Sequence, residues 1–260
     1  MIFFCGSICR MCDLYLREKD IDMIKFKDLP IATGKSKTYA GIGHRDLGGF
    51  CEPNTNEPVE NVMAWIAGEL EKFGYTLNSG GAKGADAAFE YGVKSPAHKN
   101  IFTPADATET TRSIAQELHP AHERLQGHAL DLYARNTNQV FGRNLDCTID
   151  FVVCYTKDGC ETAATRSRDS GGTGQAIEMA DCKGAKVFNM KNRDWFERLK
   201  KYLVNEAGIV AADALDFPKT FAKVPRNLVD FTPQKPAASA KPAPKMSDKQ
   251  IRSLMKAMKR

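Results

Sequence analysis

From Lys37 to about residue 205 the chain repeats one pattern: a short apolar run, a turn, and a stretch whose apolar residues recur at helical spacing. Thr38 to Gly43 reads as a buried strand running into a glycine turn. After a polar loop, Asn56 and Pro58 look like a cap and a first-turn residue, and Val59, Met63, Ile66, Leu70 and Phe73 mark the first helix, which Gly74 ends. Tyr75 to Leu77 is a second strand, Ser79 to Asp86 turns into a helix around Ala88 and Phe89, and Lys99 to Phe102 is a third strand. Helical stretches are predicted near 110 to 118 and 121 to 141, ahead of the strongest strand, Ile149 to Tyr155. Gly171 to Gly174 opens a helix through Ile177 and Met179; a last strand, Lys186 to Asn189, and a helix over Trp195, Leu199 and Leu203 follow. Strands that alternate with helices pair in parallel, and right-handed crossovers place the helices on both faces. The expected fold is therefore α/β: a Rossmann-like doubly wound, mostly parallel sheet over residues 37 to 205.

The flanks differ in character. Residues 1 to 36 show no clean period and form an unassigned N-terminal extension, while 206 to 231 extend the body at its C-terminal side. Pro233, Pro236, Pro242 and Pro244, set among Ala, Ser and Lys, make 232 to 246 a stiff, solvated linker. Beyond it, Ser247 and Gln250 form a capping-box pattern, and Ile251, Leu254, Met255 and Met258 fall on one stripe of a basic amphipathic helix, 247 to 260. A tethered helix of this kind needs a partner to cover its stripe, either a protein groove or an anionic surface.

Charge divides the same way. Residues 232 to 260 hold eight Lys or Arg against Asp248 alone, so the net +5 of the chain comes from a tail of +7 and a body of −2. The body is no basic platform for nucleic acid, although the tail could reach one. No apolar run approaches the ~20 residues of a membrane span, and the opening residues lack the basic start and long apolar middle of a secretory signal. A cytoplasmic location is expected, with the eight cysteines reduced. Cys5, Cys9 and Cys12 have spacing seen in iron–sulfur sites, yet no fourth ligand is placed, so neither metal nor cofactor is assigned. His119, His122 and His128 read as surface or capping residues and Cys154 as core packing.

Three glycine-rich turns sit where parallel strands would end: Gly41 to Arg45, Ser79 to Asp86, and Gly171 to Gln175. In open α/β sheets ligands bind at that edge, because backbone N–H groups and helix N-termini can face an anion with no side chain between. None of the turns is a complete dinucleotide fingerprint or a Walker loop. One such turn can be mere tight-turn geometry; three at successive strand ends point to a phosphate site. Candidate binding residues are Gly41, Gly43, Arg45, Ser79, Gly80, Gly81, Ala82, Gly84, Asp86, Asn136, Gln139, Gly171, Gly172, Thr173, Gly174 and Gln175. Arg45 would neutralise the phosphate, and Arg135 would hold a second anionic or carbonyl group.

Over residues 38 to 190 these blocks resemble the SLOG superfamily of Rossmann-like proteins, which includes the LOG phosphoribohydrolases and the DNA-processing DprA/Smf proteins. Gly41 to Arg45 is similar to the first-strand Gly-Ser-Arg turn, with His44 in place of a small hydroxyl residue. Ser79-Gly80-Gly81-Ala82 with Gly84, Ala85 and Asp86 is similar to the second-strand turn, and Arg135-Asn136 to the helix arginine of both groups. Gly171 to Glu178 parallels the LOG pattern Pro-Gly-Gly-x-Gly-Thr-x-x-Glu, with Ser170 for Pro and Gln175 for Thr. The likeness is strongest to phage and bacterial members of uncharacterised function. It implies a Rossmann-like fold and, if activity follows, cleavage of the N-glycosidic bond of a nucleoside monophosphate by a catalytic pair, Glu178 and Arg135. Three functions stay open: a protein acting on a nucleotide-like small molecule, a DprA-like binder of single-stranded nucleic acid, and a ligand-binding scaffold or inhibitor that docks a partner through its tail. Self-association into a homo-oligomer is compatible with each.

Overall fold

The protein is described here by a computed structural model covering residues 24–230. Five parallel strands form one sheet in the order β3-β2-β1-β4-β5, with β1 Thr38–Gly43, β2 Thr76–Ser79, β3 Lys99–Ile101, β4 Phe151–Tyr155 and β5 Lys186–Asn189. Every pairing is parallel, so the expected doubly wound α/β arrangement is the one observed. The helices in chain order are α1 Val59–Lys72, α2 Ala85–Gly92, α3 Glu109–Leu118, α4 Gly127–Phe141, α5 Thr173–Cys182, α6 Trp195–Asn205 and α7 Arg226–Val229.

Alternation along the strands builds two cores. Tyr39, Leu77, Phe151, Val153 and Phe188 face one side and are covered by α1, α2 and α6; Ala40, Ile42, Val152, Cys154 and Val187 face the other and are covered by α3, α4 and α5. Cys154 is fully buried in the second core, as its place in the strongest strand implied. The chain runs outward from β1 to β3 with its crossovers on the first face, then returns to β4 by α3 and α4 on the second. This reversal places a switch point between β1 and β4, where the loops leaving the two strands diverge.

Several boundaries differ from the sequence pattern. Asn56 does not cap α1: it sits at φ +58°, and the helix starts after Pro58 with no side-chain cap. The loop before it is held instead by Glu52, whose fully buried carboxylate accepts bonds from the Asn54 and Thr55 N–H groups (2.9 and 2.8 Å), from the Thr55 hydroxyl and from Trp195 Nε1 (3.0 Å). The predicted helix 121 to 141 is a short turn at His122–Arg124 followed by α4 from Gly127, since Gly127 at φ +57° breaks the run. The second strand begins at Thr76 and the fourth at Phe151.

Parts of both flanks belong to this body. Leu29 enters the second core, its carbonyl accepting a bond from Lys183 Nζ (2.7 Å), and the buried Asp150 carboxylate accepts from the Ser36 and Lys37 N–H groups (2.8 and 3.0 Å). On the other side Ala212, Leu215, Val224 and Val229 are buried in the first core, and Trp65 packs against Phe196, Phe217 and Phe221. Cys5, Cys9, Cys12, the linker 232 to 246 and the amphipathic segment 247 to 260 lie outside the described residues. Among the described residues no helix is long and apolar enough to cross a membrane, and no group of His, Cys, Asp and Glu has a metal-binding arrangement.

Among the described residues, Glu52 is the buried acceptor shared by the loop amides and the Trp195 indole. Replacing it by Ala strands those donors, and a loss of about 3 kcal/mol or more in urea unfolding is expected. Glu52→Gln should retain part of that stability; an alanine variant within about 1 kcal/mol of wild type would show that the loop holds itself.

Candidate functional site

The carboxyl edge of the sheet carries a cavity of about 320 Å³ at the switch point, between the loops that leave β1 and β4. Ten of the residues named from the sequence line it: Gly43, Arg45, Ala82, Asp86, Arg135, Asn136, Gln139, Gly171, Gly172 and Thr173. They come from four separate segments: parallel strands deliver the loops after β1, β2 and β4 to one edge, and α4 lays Arg135, Asn136 and Gln139 against them.

At its floor Asp86 and Arg135 form an ion pair (3.5 Å) with side chains only 4% and 11% exposed, and Arg135 also donates to the Gly80 carbonyl. Asp86 Oδ2 accepts the Ala82 N–H as well (3.3 Å). Burial pushes the Asp86 carboxyl up to about 6, against the opposing pull of Arg135, the Ala82 amide and Arg45. For Arg135 burial works downward, opposed by Asp86 and reinforced by Arg45. With Arg45 nearby, two guanidinium groups act on one carboxylate, which leaves the site net positive. Asn136 Nδ2 donates to the Gly172 carbonyl (3.1 Å), fixing the loop that opens α5. The N-terminus of α5, at Thr173, borders the same space and adds its own positive end.

Two nitrogens at this site are buried with no partner among the described residues: His44 Nε2 and Arg135 Nε. Buried polar atoms without partners are uncommon, and here both belong to residues that line a cavity. His44 packs edge-on against Tyr155 (6.1 Å between ring centres) and lies beside Gly171. The sequence pattern marked it only as a departure from the usual turn. It also missed Leu132 and Tyr133, which line the cavity one helical turn before Arg135 and Asn136; the i, i+3 spacing from these two residues was the available signal.

The other named residues serve nearby structure. A Cβ at Gly41 would lie 2.6 Å from Leu77 and 2.7 Å from Phe89, so this glycine lets α2 pack onto β1. Gly84, at φ +87°, lies against the backbone of Arg45, where a Cβ would collide with the Arg45 carbonyl; no other residue allows α2 to start so close to the β1 turn. A Cβ at Gly80 would come within 2.7 Å of Asp86, Gln139 and Arg135, so Gly80 leaves room for the ion pair. Gly81 neighbours Ile101 at the β2 exit. Ser79 donates to the Gly41 carbonyl (2.7 Å), tying β2 to β1, and the buried Gln175 donates to the Ala115 carbonyl (2.8 Å), tying α5 to α3. Gly174 clears space for Ser170 and for the Arg166 side chain.

Glu178 and Arg135 are not partners. Glu178 is ion-paired with Arg166 and lines an adjoining cleft, whereas Arg135 belongs to the Asp86 pair in the first cavity. The cleft shares Tyr133, Gly171 and Gly172 with the cavity. Compared with family models, with curated proteins and with solved structures, the chain matches none.

The raised Asp86 carboxyl has a defined effect on stability. Below about 4 both folded and unfolded chains hold this proton. Between about 4 and 6 the unfolded chain releases it first, so ionisation progressively costs the folded state, on the order of 3 kcal/mol once pH exceeds the folded value. The Asp86→Asn protein lacks this step, while any loss from the unpaired Arg135 charge stays constant with pH. The difference in unfolding free energy should therefore move toward the variant between pH 4 and pH 7; a difference flat with pH would contradict the buried, ionisable role given to Asp86.

Proposed function

We propose that this chain binds a nucleotide or nucleotide-derived ligand, with its phosphate and ribose in the switch-point cavity. The supporting observation is the convergence there of Arg45, Arg135, the α5 N-terminus and two unpartnered buried nitrogens around a space the size of a small-molecule site. Arg45 supplies mobile charge at the rim: it is exposed and has no ion partner among the described residues. Arg135 is fixed in place by Asp86 and the Gly80 carbonyl, so its guanidinium is preorganised rather than recruited. The Asp86 carboxylate can accept from ribose hydroxyls, the partner such a group takes in many nucleotide sites. The resemblance to SLOG proteins supports the same ligand class.

Binding is favoured over hydrolysis. The glycosidic cleavage implied by the resemblance rests on Glu178 and Arg135 acting together, and each is held in a different ion pair. Binding of single-stranded nucleic acid is the second reading, favoured by the +7 tail alone, since the body carries a net −2.

Calorimetric titration of the full chain with nucleoside monophosphates is expected to show binding that weakens with salt. Arg45→Ala should lower the affinity about ten- to hundredfold, the loss of one charge-assisted hydrogen bond, with the melting temperature unchanged. Unchanged affinity in that variant, or a phosphate located away from this edge, would refute the assignment. For the second reading, a chain ending at Phe231 should lose salt-sensitive binding to single-stranded DNA if the tail carries it; equal binding by both forms would place that activity in the body.

A further inference from the structure

The cleft beside the switch-point cavity, about 670 Å³, differs from it in charge. Its charges cancel: Arg166 and Arg168 are matched by Glu117 and Glu178. Its wall is aromatic, with His119 set edge-on against Tyr133 at 4.7 Å between ring centres. Burial and the neighbouring Arg166 hold His119 below its ordinary value, and its Nδ1 accepts the Ala121 N–H, so the imidazole adds no charge near neutral pH. A second phosphate would find no surplus cation here. A flat, uncharged ring would find an apolar wall and polar groups at its edge.

The two spaces adjoin at Gly171, Gly172 and Tyr133, which line both. A Cβ at Gly172 would meet nothing within 4 Å, so the absent side chain is not explained by packing. A side chain at that point would project into open space where the two linings meet. The far side is built with equal care. Gly174 makes room for Arg166 to lie along α5, where it bonds Glu178 Oε2 and the Leu118 carbonyl (3.4 Å). The Glu178 side chain keeps 23% of its surface exposed, and among the described residues its Oε1 receives no hydrogen bond.

We propose that this cleft receives the base of the nucleotide, with Tyr133 and His119 as its ring wall and the Glu178–Arg166 pair as the reader of its hydrogen-bonding edge. The inference rests on the placement of phosphate and ribose in the first cavity. A carboxylate accepts from an exocyclic amine or ring N–H, and a guanidinium donates to a ring carbonyl or nitrogen. Glu178 thereby acts as a specificity residue, which explains why it is ion-paired and lies outside the cavity that holds Arg135.

The test uses the full chain and two kinds of probe: ribose 5-phosphate, which has no base, and AMP, GMP, CMP and UMP. Wild-type protein should bind ribose 5-phosphate and should bind its preferred nucleotide at least about tenfold more tightly, the worth of one buried hydrogen bond with ring contact. Glu178→Gln should lose about tenfold for that nucleotide or change the preferred base, with ribose 5-phosphate affinity within about twofold of wild type. His119→Leu, on a half-buried side chain that lines the second cleft and not the first cavity, should reduce every nucleotide's advantage and again spare ribose 5-phosphate, which covers the case of an unstable Glu178 variant. If all four nucleotides bind no better than ribose 5-phosphate, or if both variants bind them as wild type does, the second cleft does not hold the base and the phosphate assignment stands. If neither ribose 5-phosphate nor any nucleotide binds, the first cavity is misassigned and this inference falls with it.

Discussion

Arg135 and Asp86 meet across the end of the sheet. Asp86 stands in the first turn of α2, on one face, and Arg135 in α4, on the other, so their ion pair clamps the two helical layers together at the carboxyl edge. The pair is nearly excluded from water, a position in which either charge alone would cost several kcal/mol. Its geometry depends on the absence of a side chain at Gly80 and on the Gly80 carbonyl as a second acceptor. The cavity exists because this clamp holds α4 beside the β1 exit while the Asn136 amide holds the α5 loop on its opposite side. The same few groups thus hold the two layers together and line the cavity, and the raised Asp86 carboxyl is the cost of burying them.

Two spaces along one edge make a chemical gradient. The first concentrates positive charge and amide dipoles near β1 and α5; the second balances its charges and offers aromatic surface. That order is complementary to a molecule anionic at one end and uncharged at the other. The edge is fastened by the ion pairs and by a loop network at the surface, in which Asp158 accepts from Ser167 and Ser170 (2.5 and 2.6 Å); partial burial opposes its ionisation, but these bonds hold it at about 2. The loop from β4 to α5 is therefore fastened at its middle before it reaches Gly171.

The glycine-rich turns show how one sequence signal can serve two physical ends. Gly43, Gly171 and Gly172 border the cavity, as a phosphate-binding turn requires, while Gly41, Gly84 and Gly174 serve the close approach of helix to strand, turn or loop. Both uses demand a missing Cβ, and a linear pattern cannot separate them, because the atom that would collide belongs to a residue distant in sequence: Phe89 for Gly41, Arg45 for Gly84. Glu178 poses the same difficulty. Its position in the α5 motif was legible, but its partner Arg166 lies twelve residues earlier in a loop without periodicity, and only folding reveals the pair.

The order of apolar runs, turns and helical stretches by itself determined the α/β class, the parallel sheet and the edge at which the turns collect, because strand alternation and crossover handedness leave few other arrangements. It also placed the charge: a near-neutral body and a basic tail. Tertiary structure decided what each turn residue faces. It put Gln175 and Ser79 in the interior, set His44, Leu132 and Tyr133 on the cavity wall, split Arg135 from Glu178, and drew 24 to 36 and 206 to 230 into the body through Leu29, Asp150, Val224 and Val229. The reason is common to all of these: periodicity reports which side of an element is buried, whereas the partner of a polar side chain is chosen by the packing of segments far apart in the chain.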